Sequence, residues 1–359
     1  MRKVKKFSAL ILTLALFISV SACADTSPAN GTPPSGNTPS AGSDSENAPI
    51  VIRIGGTCAE THPVTVGQYK FEELFEAATN GAYDVQVYPN MVLGSPNEML
   101  EAVQLGNLEI TDSGNMAVAA FSNALMFMDI PYLFTSRDIC FEFIDGEVAR
   151  KAYDRFAEEA NIRPYIGLDL GYATISNNIR PLRVPSDLNG VKFRVMENNM
   201  YLNYFEGVGG QPMPMAFNEL FTALQQGTID GTLTQNAVFY SNKYTEVTKY
   251  LSDMNPFYCI DYQYVCESWL NSLPEDVQDI FAQCWKEAAQ FQRDYFLEYA
   301  EPMEADLETL VEYTHLTDEE YQQWVDSAAG MVDVFRNSVD EPNLDLYLDE
   351  IARIEEKLG

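Results

Sequence analysis

One fifteen-residue unit is written twice in this chain. NEMLEAVQLGNLEIT begins at Asn97 and NELFTALQQGTIDGT begins at Asn218. Aligned without a gap, the two share Asn, Glu, Ala, Gln, Gly and Thr at the same offsets. Met99 stands against Leu220, Val103 against Leu224, Leu108 against Ile229 and Glu109 against Asp230. Each copy reads as a helix, a glycine stop and a strand, because glycine just past a helix end takes the left-handed conformation at little cost. Two distant copies of one helix-turn-strand unit predict two lobes, each built on one copy.

The segments around the copies fit that reading. Residues 51–54 and 83–87 alternate like strands, with a helix between them carrying Val66, Tyr69, Leu74 and Phe75 and ending at Asn80-Gly81. Ser95-Pro96-Asn97-Glu98 carries the signature of a capping box, with proline at the first helical position. Residues 191–195 alternate as a strand behind the turn Asp187-Leu-Asn-Gly190. Ser272-Leu-Pro-Glu275 is expected to cap a long helix whose stripe is Val277, Ile280, Phe281, Cys284, Ala288, Phe291 and Tyr295, read as core. Two further helices are expected at 318–335 and 344–358. Strands alternating with helices specify an α/β fold. Two such lobes facing each other enclose a cleft beyond the strand ends, where open α/β sheets bind ligands, and close about a hinge.

The N-terminus carries an address. Arg2, Lys3, Lys5 and Lys6 precede an apolar run, 7–20, that is shorter than the roughly 20 residues a bilayer span needs. Val20-Ser21-Ala22-Cys23 then sets small residues before a cysteine, so 1–22 reads as a secretory signal peptide. Residues 24–49 are small, polar and proline-rich, a flexible tether behind Cys23. Losing the four leader cations takes the formal charge from −31 to −35. That balance excludes a nucleic-acid partner, which needs a basic footprint, and gives no attraction to anionic lipid. Five cysteines remain after Cys23, with no CxxC spacing. They read as buried free thiols rather than a zinc or disulfide framework, with a Cys259–Cys266 pairing across a turn as the alternative.

The motifs then become specific. Met91-Val-Leu-Gly94 with Asn97–Gly106 forms one cluster, and Ile130-Pro-Tyr-Leu-Phe134 a second. Asp187–Val195 is a third; Pro212–Phe217, Ala223–Gly227, Asp230-Gly231, Tyr240–Lys243 and Glu246-Val247 follow. In order and spacing these resemble the extracytoplasmic solute-binding subunit of tripartite ATP-independent periplasmic (TRAP) transporters, the dicarboxylate-binding-component family. The resemblance covers 50 to about 340. It implies a two-lobe, periplasmic-binding-protein-like fold with a hinge cleft and a long helix across both lobes. Lobe I would comprise 50–170 plus about 260–300, lobe II 171–259 plus about 301–340, and 341–359 a C-terminal helix. It further implies capture of a small organic acid and its delivery to a sodium-driven TRAP permease. A cysteine after the cleavage point resembles the bacterial lipobox. It implies acylation of Cys23 and a lipid anchor at the outer face of the cell membrane.

In that family an arginine at the position of Arg194 clamps the ligand carboxylate. The chemistry agrees, since guanidinium presents a planar fork of donors and keeps its charge. Phe217 matches a cleft aromatic. Two helpers are absent: Ala173 stands where a second arginine is common, and Thr234 where an asparagine meets the ligand. A less charged carboxylate, or one held by hydroxyls and by aromatics such as Tyr172, is therefore expected. Thr57, Ser113 and Asn115 fall where ligand-facing polar groups of the first lobe would lie. Leu233 replaces a glutamate that relatives could offer to a metal; no metal or cofactor is expected. The alternatives are a ligand sensor for a kinase and a binding protein of an ATP-driven importer. Catalysis is disfavoured: His62 and His315 are the chain's two histidines, neither in a nucleophile motif, and no phosphate loop or GxGxxG occurs.

Overall fold

The computed structural model describes residues 48–359; the leader, Cys23 and most of the tether lie outside them. The first half opens with β1 (Ile50–Gly55), α1 (Pro63–Ala78), β2 (Tyr83–Tyr88), α2 (Pro96–Gln104) and β3 (Ile110–Gly114). α3 (Arg137–Ile144) and α4 (Glu147–Ala160) lead into the long strand β4 (Ile162–Asn177). The second half repeats the opening as β5 (Lys192–Val195), α5 (Asn199–Gly207), β6 (Gln211–Pro214), α6 (Leu220–Gln226) and β7 (Gly231–Gln235). α7 (Asn236–Ser241) precedes a second long strand, β8 (Tyr250–Cys266). α8 (Glu267–Leu270), α9 (Glu275–Leu310), β9 (Glu312–Thr314), α10 (Asp318–Ser327), α11 (Met331–Ser338) and α12 (Leu344–Leu358) complete the chain.

The repeat has a topological meaning. β1 pairs in parallel with both β2 and β3, and β5 pairs in parallel with both β6 and β7. The helix-to-strand step inside each copy, α2 to β3 and α6 to β7, therefore delivers the strand that docks against the long pair. β3 runs antiparallel along the C-terminal part of β8, and β7 antiparallel along the C-terminal part of β4. β4 and β8 are themselves antiparallel, so the pairing path is one nine-stranded sheet, β2-β1-β3-β8-β4-β7-β5-β6, with β9 on β8. In place of two separate facing sheets, the two long strands join the halves into one.

Buried apolar surface drives this assembly, since each such side chain removed from water contributes about 1.5–3 kcal/mol. In the first half Ile52, Ile54, Phe71, Phe75, Ile110, Phe281 and Trp285 form one cluster, with Phe71 stacked on Trp285 at 4.0 Å between ring centroids. In the second, Leu220, Leu224, Ile229, Phe239, Phe296 and Leu307 do the same. α9 supplies residues to both clusters and packs on α1 and β4 as well as on α7 and β9. It is the long helix across both lobes.

Details differ from the sequence reading. Ser95 forms the capping box with Glu98, as its spacing predicts. Ser272 does not cap α9: its hydroxyl donates to the Trp269 carbonyl at 2.6 Å, and Pro274 precedes the helix with no side-chain cap. The buried stripe of α9 passes from Phe281, Cys284 and Ala288 to Gln292 and Phe296, leaving Phe291 exposed. The helix expected over 318–335 is two, broken where Gly330 takes φ +89°. Cys58, Cys140, Cys259, Cys266 and Cys284 are all buried and free. Among the described residues no helix is long and apolar enough to cross a membrane.

Candidate functional site

Strand ends and the turns after them from both halves meet around a cleft with about 580 Å³ of unfilled space. Thr57 follows β1, Ser113 and Gly114 end β3, Arg194 lies on β5, Phe217 precedes α6, and Thr234 and Gln235 end β7; all line it. Asp261, midway along β8, lines it too. The walls between these polar groups are apolar, from Met116, Leu170, Met196 and Val238.

Arg194 reaches the cleft because strand alternation turns it opposite Phe193 and Val195, which are fully buried. Its Nε donates to the Met215 carbonyl at 2.9 Å, and its guanidinium carbon lies 5.8 Å from the Phe217 ring centre. Arg194 is only 4% exposed. Burial lowers its pKa to about 10, against the pull of Tyr244, Tyr201 and Glu197, so it stays charged at neutral pH. Arg293, the other buried arginine, forks onto the Asp145 carboxylate. Arg194 makes no ion pair among the described residues, although buried charges are ordinarily paired. Its side chain is held by one backbone carbonyl and one ring, and its two terminal nitrogens make no hydrogen bond among the described residues.

The structure brings five of the sequence-predicted ligand residues together here: Arg194, Phe217, Thr234, Thr57 and Ser113. It does not bring Asn115, Ala173 or Tyr172 to the wall. Asn115 is spent on the frame: its amide nitrogen donates to Asp129 Oδ1 at 3.0 Å and its oxygen accepts from the Ile260 N–H at 3.0 Å. Asn198 and Tyr201 of the second half also donate to Asp129, so this buried carboxylate ties the halves together. Burial raises its pKa to about 7 against those hydrogen bonds. Ala173 is fully buried, in register with Gln235 and Phe257. Tyr172 sets its ring edge-on to Tyr258, 4.7 Å between centroids.

Gln235, Asn242, Cys58 and Asp261 line the cleft and were not singled out by the sequence. Gln235 is 3% exposed and its Nε2 has no partner among the described residues. Cys58 and Asp261 on the wall cluster with Asp112 behind it, their carboxylate and thiol atoms within 4.8 Å of one another. Asp112 is well served, accepting from the Thr57 N–H at 2.6 Å and from Gln68 Nε2 at 3.0 Å. Burial still raises it to about 6. Burial and the neighbouring charge of Asp112 raise Asp261 well above the usual carboxylate range. Burial and both carboxylates hold Cys58 as a thiol.

Comparison with known proteins agrees with this architecture. The sequence model of "Bacterial extracellular solute-binding protein, family 7" matches residues 54–338. A solute-binding protein of Verminephrobacter eiseniae is 31% identical over 246 residues, 68% of this chain and 73% of its own. A TRAP periplasmic solute-binding protein from Anaerococcus prevotii, solved with bound D-glucuronate, superposes with a TM-score of 0.81 at 27% identity, covering 86% of this chain and 99% of that one. One from Shewanella oneidensis, solved with bound succinate, gives 0.79 at 26% identity, covering 85% and 100%. With the family model spanning most of the described body and these folds superposing end to end, the chain belongs to family 7 of the bacterial extracellular solute-binding proteins, the solute-binding subunits of TRAP transporters.

Proposed function

We propose that this cleft captures a small organic acid outside the cytoplasm and hands it to a sodium-driven TRAP permease. The observation that carries the reading is Arg194, a buried and charged guanidinium on the wall of a two-sided cleft, without a carboxylate partner among the described residues. A ligand carboxylate supplies the missing partner in the planar geometry the fork accepts. Phe217 braces the guanidinium from one side, while Thr57, Ser113, Thr234 and Gln235 offer hydrogen bonds around it. D-Glucuronate and succinate, the ligands in the two related structures, are both carboxylates.

The lobes are assigned as 50–170 with about 260–300, and 171–259 with about 301–340, followed by a C-terminal helix at 341–359. The body hangs from a lipid on Cys23 after loss of residues 1–22, through the tether 24–49. Stable anchoring takes more than one acyl chain. Cys23→Ser is expected to leave unprocessed precursor or to release protein that no longer partitions into detergent; a mutant still acylated and membrane-bound sinks the anchor.

The clamp is tested by calorimetric titration of the mature body with a panel of carboxylates that includes D-glucuronate and succinate. A hydrogen bond to a charged group contributes about 1.5–3 kcal/mol, and a forked pair makes two. Arg194→Ala is expected to weaken binding about a hundredfold or more, each 1.4 kcal/mol or so being a factor of ten. A variant that still binds within threefold of wild type removes Arg194 from the clamp.

A further inference from the structure

Arg194 accounts for one end of a ligand. The opposite chemistry sits on the same cleft in Asp261, only 1% exposed. Among the described residues its single hydrogen bond is a long one, from Gln263 Nε2 at 3.3 Å. No cation lies within ion-pair range of it there, and the Asp112 carboxylate lies within 4.8 Å. Buried carboxylates ordinarily gather several donors or a counter-charge. Asp112 has its donors; Asp261 does not. Gln235 lines the same space, but its amide nitrogen is turned away from it into the buried interior.

We propose that Asp261 determines specificity in this cleft: it selects carboxylates that end, away from Arg194, in a hydroxyl or ammonium donor, and it rejects a second carboxylate there. The inference rests on Arg194-dependent capture of an organic acid and names the class of acid. A ligand donor completes the hydrogen bonding of Asp261. A second carboxylate meets a pair of acids and no cation. The pair also keeps a negative charge when Asp261 holds a proton, because Asp112 has the donors that favour ionisation. The other polar groups on the wall, Thr57, Ser113, Thr234 and Asn242, are neutral and supply no cation to offset a second carboxylate.

Pairs of acids that differ only at the far end test this by calorimetry: D-gluconate against D-glucarate, and 4-hydroxybutyrate and 4-aminobutyrate against succinate. Wild type is expected to bind a donor-ended member at least tenfold more tightly than its diacid. Asp261→Asn is expected to shrink that preference below threefold, mainly by admitting the diacid. A diacid that binds wild type as tightly as its donor-ended partner overturns the proposal, and this arm needs no variant. A preference that survives Asp261→Asn, in protein with wild-type circular dichroism and melting, also overturns it. Arg194→Ala, titrated beside them, separates the two readings. Arg194-dependent binding with the wrong preference overturns the role of Asp261 alone. Binding indifferent to Arg194, or no binding of any acid, overturns the capture reading and this one together.

Discussion

Arg194 shows what a single residue can and cannot reveal in a sequence. Its place in Lys192-Phe-Arg-Val195 set its orientation by alternation, while the family resemblance singled it out as a carboxylate clamp, a role that suits guanidinium chemistry. Asp261 was not legible. It sits in Pro256-Phe-Tyr-Cys-Ile-Asp-Tyr-Gln-Tyr-Val265, a run of buried positions, and its meaning comes from Asp112 on a strand far upstream. Gln235 follows Leu233 and Thr234 in sequence, yet nothing local says that it reaches the cleft wall. Asn115 was placed by strand position alone, and the frame consumed both its polar atoms. The burial of Arg194 also fixes what can replace it. Burial brings even guanidinium down to about 10. An ammonium starts lower, near 10.4, and buried lysines are known to fall to about 5–6. Arg194→Lys is therefore expected to lose both the fork and much of the charge. Titration with the acid that wild type binds best should show binding about a hundredfold weaker or worse, and recovery to within threefold of wild type would refute the forked geometry.

At the scale of elements, the two copies are alike where the fold asks the same of them and differ where it does not. Both helices end at a glycine with positive φ, Gly106 at +74° and Gly227 at +67°. The strands after them diverge from their first residue, Ile110 in the first copy and Gly231 in the second. Ile110 is fully buried in the first-half core, opposite Val265 of β8. Gly231 lies opposite Asn177 of β4, where a Cβ would come within 2.1 Å of the Ser176 carbonyl oxygen and 2.9 Å of the Asn177 Cα. Both of those are backbone atoms and cannot swing aside. Gly231→Ala is expected to lower stability by about 2–3 kcal/mol, the upper part of the range for overpacking. Urea denaturation checks it, and a midpoint equal to wild type would mean that β7 has room to move. Long elements are less legible in sequence than the glycine stops. The α9 stripe drifted because the helix turns at 3.6 residues, so Gln292 and Phe296 replace Phe291 and Tyr295 on the buried side. β4 and β8 escaped the sequence reading altogether. Gly171 (φ +84°) interrupts one and Asn255 (φ +46°) before Pro256 interrupts the other, and each mimics a turn between short strands.

For the whole molecule, those interruptions are where motion belongs. β4 and β8 are the sheet's only passage between its halves among the described residues, and their register shifts between Asp169 and Gly171 and again between Ala173 and Ile175. A ladder broken twice in so short a span bends more readily than a regular one. α9 packs on both halves and passes beside this region, with Phe296 against the Cα of Gly171. The cleft walls come from opposite sides of it: Thr57 and Ser113 belong to the first half, Arg194, Phe217 and Thr234 to the second. A ligand that touches both walls has more contacts when they approach, and that difference in affinity is what shifts an open–closed equilibrium. The halves are therefore expected to rotate together about the 169–175 segment when an acid binds. Small-angle X-ray scattering of the mature body should give a smaller radius of gyration with the tightest-binding acid at saturation than without it. Arg194→Ala at the same acid concentration should keep the ligand-free value, because the second wall loses its hold. An unchanged radius in wild type at saturation would show that the cleft is preformed. The interrupted strands would then serve only to carry the sheet around a bend.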